Sequence, residues 1–123
     1  MAHDGSASRA AEKVALEWQH VLDEDEGLVD PKMTRMAYAR PELRELFPLV
    51  THGSLHFSRC TQRPWTRDVP ALYPRPAGGC TVIRLSDGVT LGETGTLEEA
   101  VALVVNNLPS GCGPAIDGTA LDL

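Results

Sequence analysis

The sequence predicts an α+β fold, with helices packed on one face of an antiparallel three- or four-stranded meander, and three observations predict it. Apolar residues keep helical spacing to about residue 48, alternate with a period of two from about residue 54, and resume helical spacing after Thr96. Asp87-Gly88 between two short alternating runs is the signature of a two-residue hairpin. Aromatics make up only 5% of a chain that is 42% apolar, so the core is mainly aliphatic, as in helices laid on a small sheet.

Ala11, Val14, Ala15, Trp18, Val21 and Leu22 place an amphipathic helix over about Ser8–Leu22, ending in the acidic run Asp23–Glu26 and Gly27. Asp30 before Pro31 is an N-cap followed by proline at the first helical position, opening a second helix with Met33, Met36 and Ala37 on one side. Pro41 starts a short helical segment that runs to Phe47 and stops before Pro48. A first strand follows over about Ser54–Cys60, then a polar connection over 61–68. The second strand spans about Val69–Arg75, where Pro70 and Pro74 predict an edge position because neither donates a backbone hydrogen bond. Cys80–Leu85 and Val89–Gly92 flank the hairpin. Thr96 with Glu99 makes a capping box for the last helix, whose stripe is Leu97, Ala100, Val101, Val104 and Leu108. Leu55, Phe57, Ile83, Leu85, Val101 and Val104 are the expected core. The 123 residues read as one domain, with flexible tails at 1–7 and 115–123.

Strand parity singles out the candidate chemistry. In His52-Gly-Ser-Leu-His-Phe-Ser-Arg-Cys-Thr61, alternation puts His52, Ser54, His56, Ser58 and Cys60 on one side and Leu55 and Phe57 on the other. With helices covering one face, this row of bases and nucleophiles is left on the other. His52 and His56 are candidate acid–base groups, and Cys60 beside Arg59 is a candidate nucleophile, or else a small buried hydrophobe. Ser58, Arg59, Trp65 and Asp68 are candidate ligand contacts. Arg59 and Asp68 are read by preference as a structural ion pair holding the connection, and Trp65 as a recognition aromatic or a loop anchor. His52, His56 and Cys60 recur every four residues, but four residues of strand span about 13 Å, too far for convergence on one metal ion. No metal or other cofactor is expected.

The net charge of −6 is unevenly distributed: residues 31–75 carry eight bases against three acids, between two acidic flanks. A basic middle suits an anionic small molecule or acidic peptide, or is neutralised by the flanks. The overall acidity argues against nucleic acid as a partner. No apolar run is long enough for a membrane span, and the N-terminus lacks the basic and apolar regions of a signal peptide, so a cytoplasmic protein is expected. Three widely spaced cysteines make neither a disulfide framework nor a metal knuckle.

The blocks His52–Thr61, Asp68-Val-Pro70, Leu91-Gly92, Glu98–Val105 and Leu108–Ala115 resemble, in that order, a family of small actinobacterial natural-product biosynthesis proteins of unknown function. The resemblance covers about residues 41–118, with Phe57-Ser-Arg-Cys-Thr61 and Gly111-Cys-Gly-Pro114 its distinctive parts. It implies a biosynthetic setting and a small-molecule or peptide intermediate as substrate, with a partner biosynthetic enzyme possible. Two functions remain open. One is cofactor-independent acid–base or nucleophilic conversion of an intermediate, such as a cyclisation or isomerisation. The other is a non-catalytic module binding a precursor peptide, carrier domain or partner enzyme.

Overall fold

In the computed structural model, residues 5–123 are described, and residues 1–4 of the expected N-terminal tail lie outside them. The chain runs α1 (Ser6–Leu22), α2 (Pro31–Tyr38), α3 (Pro41–Arg44), β1 (Phe47–Thr51), β2 (Ser54–Ser58), β3 (Ala71–Pro74), β4 (Cys80–Arg84), β5 (Val89–Glu93) and α4 (Leu97–Val105). The strands pair antiparallel in sequence order, a five-stranded meander. The α+β class is as the sequence predicts, with one strand more.

The extra strand is β1. Its Phe47 and Pro48 belong to a sheet edge rather than to the end of a helix, and Pro48 is tolerated because an edge strand has one side without ladder partners. β1 and β2 are joined by His52-Gly53, both with positive φ (49° and 82°), the backbone that a two-residue hairpin of right-handed twist demands. His52 is therefore a turn residue, not the start of a strand row. The edge position expected of the second sequence strand is also corrected: β3 is central, and its prolines cost nothing because Pro70 precedes the strand and Pro74 is its last residue.

Helix termini follow local chemistry. Asp30 accepts a hydrogen bond from the Lys32 amide (2.9 Å), and Thr96 accepts one from the Glu99 amide (3.1 Å). α1 lies against β1, and α4 against β4. Between helices and sheet, Trp18, Leu55, Phe57, Leu72, Val82, Val101 and Val104 form one buried cluster. Trp18 anchors it, its indole N–H donating to the Leu46 carbonyl (2.9 Å) and its ring 6.3 Å from Phe57.

Ile83 and Leu85 do not join that core. In β4 it is Cys80 and Val82 that face the helices, both fully buried, while Ile83 is half-buried and Leu85 is 37% exposed. Ile83 pairs with Ala71, on the same face as Leu49 and His56. That second face carries its own apolar residues because the connection 61–68 folds over part of it, so both faces of β4 read as apolar in sequence.

Where no element is expected after Ala115, the structure pairs Ile116 with Cys60 in a parallel bridge. The Ile116 amide donates to the Arg59 carbonyl (3.0 Å), the Thr61 amide to the Ile116 carbonyl (3.1 Å), and the Gln62 amide to the Gly118 carbonyl (2.8 Å). The connection that leaves β2 is thus hung from the C-terminal segment.

Candidate functional site

The row predicted on the second face is partly assembled. Ser54, His56 and Ser58 share it, opposite Leu55 and Phe57. The connection then buries Ser58 and Cys60 completely. The Cys60 and Thr66 amides each donate to Ser58 Oγ (3.2 Å), and the Arg59 amide donates to Thr66 Oγ1 (2.8 Å). Cys60 Sγ lies 3.2 Å from Ser58 Oγ, 3.4 Å from the Gln62 carbonyl and 3.5 Å from the Pro64 carbonyl. This knot satisfies buried polar groups and shapes the connection. Arg59 donates through Nε and Nη2 to the two Asp68 oxygens, closing the connection's ends with a forked ion pair. Of the two readings for Arg59 and Asp68, the ion pair is the one the geometry displays.

His56 stands apart from these structural groups. Ser54 Oγ donates to the Thr51 carbonyl and lies 2.7 Å from His56 Nε2. A hydroxyl carries one proton, so with that proton on Thr51 the short contact makes Nε2–H the donor to Ser54 and leaves Nδ1 as the ring's acceptor. The tautomer is inferred from this network. The Tyr73 ring meets the imidazole edge to face at 5.4 Å. Burial, with a smaller contribution from the Arg67 charge, holds the His56 pKa below its ordinary 6.5. His56 is consequently a neutral base at pH 7.

A cavity of about 410 Å³ opens beside it, lined by Leu49, His56, Arg63, Trp65, Arg67 and Leu85 among others. β1 and β2 supply the floor, and the connection supplies the cations. Trp65 stacks on Phe47, 5.3 Å between centroids at 18°, so it is loop anchor and cavity wall together. The Ser86 amide donates to the Arg67 carbonyl (2.8 Å), fixing the backbone that carries this cation. Among the described residues, neither Arg63 nor Arg67 has a carboxylate partner, whereas Arg59, Arg75 and Arg84 each do. Two unneutralised guanidiniums, a neutral imidazole and an aromatic wall suit an anion with a planar or apolar body.

His52, Ser58, Arg59, Cys60 and Asp68 do not line this cavity; His56 and Trp65 do. Strand parity does not single out Arg63 and Arg67, which also line it. Their signal was present, as two arginines four apart within the basic third, flanking a tryptophan. Cys80 and Cys112 lie elsewhere; burial first, then Asp30, pushes the Cys80 thiol up to about 11, so it is a protonated core group. Among the described residues no three His, Cys, Asp or Glu side chains group as metal ligands, and no helix is long and apolar enough to cross a membrane.

A family model described as a family of unknown function, DUF6193, matches residues 12–119. The chain belongs to that family. No curated protein and no solved structure matches the chain. The family match begins inside α1, so that helix from residue 12 onward, together with α2, belongs to the shared unit, which reaches further toward the N-terminus than residue 41.

Two predictions arise here. His52→Asn should change stability by less than about 0.5 kcal/mol, since asparagine accepts the left-handed backbone, whereas His52→Val should cost about 1–3 kcal/mol in chemical denaturation. In an NMR pH titration the His56 ring should protonate below 6.5. Between 6.5 and that lower value the unfolded chain binds the proton that folded His56 refuses, so this group's effect is to lower stability as pH falls through that window. A His56→Phe variant should show a correspondingly weaker loss of stability between neutral pH and pH 5.

Proposed function

We propose that the cavity beside His56 takes up a small anionic intermediate of a natural-product pathway, and that His56 moves a proton on it without a cofactor. One observation supports this most: an imidazole on the second sheet face is kept neutral, oriented through Ser54, and placed next to two cations that have no carboxylate partners among the described residues. Arg63 and Arg67 hold the anionic group and stabilise negative charge that develops when a proton is abstracted next to it. Nδ1 is the base, and Ser54 holds the ring by accepting from Nε2–H. The biosynthetic setting rests on the sequence resemblance.

A non-catalytic binding module is the second reading. It is favoured by the burial of Ser58 and Cys60, which leaves no nucleophile among the candidates at the cavity. Incubating the purified protein with extract of a producing strain, and following intermediates by mass spectrometry, separates the two. Conversion that falls at least about 100-fold in His56→Ala fits proton transfer. Stoichiometric retention without conversion fits the module, and conversion unaffected by His56→Ala contradicts the assigned role of His56.

A further inference from the structure

A second and larger concavity, about 600 Å³, lies on the helix side of the sheet between α1, the end of α3 and residues 114–117. It exists because α1 places Ala7, Ala11 and Ala15 at successive four-residue steps, where side chains of ordinary length would fill the space. Its volume is within the range of small-ligand sites. Trp18, 1% exposed, forms part of the floor, and since its N–H already bonds the Leu46 carbonyl, what it offers an occupant is apolar ring.

The charges around this groove are unequal in availability. The Asp117 carboxylate is already held by Lys13 Nζ (2.6 Å), Thr61 Oγ1 (2.9 Å) and Arg9 Nε (3.4 Å). Arg44 stacks over Tyr38 with its guanidinium carbon 5.4 Å from the ring centre, and it has no ion-pair partner among the described residues. Glu45 also lines the groove, and because Lys13 and Arg9 already meet the Asp117 charge from outside the lining, Arg44 is the cation left there to receive an anion. On α1 the alanines are flanked by exposed Ser8, Glu12 and Gln19, a polar border suited to a narrow occupant rather than to a broad apolar partner face.

We propose that this groove binds an amphipathic monocarboxylate, its alkyl or aryl body lying over Ala11, Ala15 and Trp18 and its carboxylate meeting Arg44. The site is independent of the His56 cavity on the other face. Arg44 lies over the Tyr38 ring, which touches Trp18 edge-on at 5.3 Å, so head and body contacts are contiguous.

The test uses the full chain in a Trp65→Phe background, which leaves Trp18 as the sole indole. Decanoate and decyltrimethylammonium are titrated separately while Trp18 fluorescence is followed. Decanoate should saturate one site, Arg44→Gln should weaken it about tenfold, Arg44→Lys should recover much of that loss, and Ala15→Phe should abolish binding. Thermal melts identify folded variants, and because Ala15 is exposed its replacement leaves the core intact. Non-saturating decanoate, equal binding of the cationic detergent, or full binding by folded Ala15→Phe would each overturn the proposal. So would a concentration-dependent dimer, seen by sedimentation, that shuts decanoate out.

Discussion

Gly79→Ala should be among the most damaging single substitutions in the chain, costing about 3 kcal/mol or more and leaving a large share of the protein unfolded on expression. Gly79 sits at φ +68° in the turn from β3 to β4, where a side chain is already strained. A Cβ there would lie 2.0 Å from the Thr94 carbonyl oxygen and 2.6 Å from its carbon, both backbone atoms. Thr94 cannot easily give way. Its amide donates to the Cys80 carbonyl (2.8 Å), its hydroxyl accepts from the Cys80 amide (3.1 Å), and it leads into the Thr96 cap of α4. Urea denaturation of Gly79→Ala and Gly88→Ala makes the comparison sharp, since Gly88 has a similar φ of +70° but nothing within 4 Å of its Cβ position. The Gly88 variant should lose only about 1 kcal/mol. Equal losses would show that the close approach at Gly79 does not matter.

Phe57→Ala should cost about 3–5 kcal/mol, a fall of roughly 10–20 °C in Tm, because it empties the centre of the helix–sheet interface. Phe57 is 2% exposed and packs against Trp18, which ties α1 to the chain entering β1. Leu85→Ala, on the second face and 37% exposed, should cost well under half as much. A calorimetric ranking in the opposite order would place the core on the wrong side of the sheet.

The contrast between those two residues shows what was legible in the sequence. Capping at Asp30 and Thr96 is local chemistry, and each cap appears where the residues put it, whereas Asp87-Gly88 closes a four-residue loop over 85–88 rather than the expected two-residue hairpin, since Arg84 pairs with Val89. The parity of Ser54, His56 and Ser58 against Leu55 and Phe57 was equally readable. The face of β4 was not, since Cys80 and Val82 compete with Ile83 and Leu85, and only the fold-back of residues 61–68 explains why both sets are apolar. β1 was hidden by Pro48 and by a turn whose left-handed positions fall to His52-Gly53 rather than to the commoner Asn-Gly. At the site, Ser58 and Cys60 looked like chemistry and serve as the knot that shapes the connection. Arg63 and Arg67, which strand parity does not single out, line the cavity. Burial made that exchange, and burial depends on contacts between Arg59–Asp68 and the distant 115–118 segment that no local pattern encodes.

The most direct test of an anion site beside His56 is an NMR titration of the 15N-histidine-labelled protein with benzoate, repeated across pH. Benzoate supplies the carboxylate and the planar body that the cavity suits. The His56 ring signals should shift saturably and its pKa should rise on binding, because an anion alongside favours the imidazolium. Arg67→Gln should weaken the effect about tenfold. His56 signals and pKa that stay unchanged at saturating benzoate, or an Arg67→Gln variant that binds as tightly, would contradict an anion site at His56.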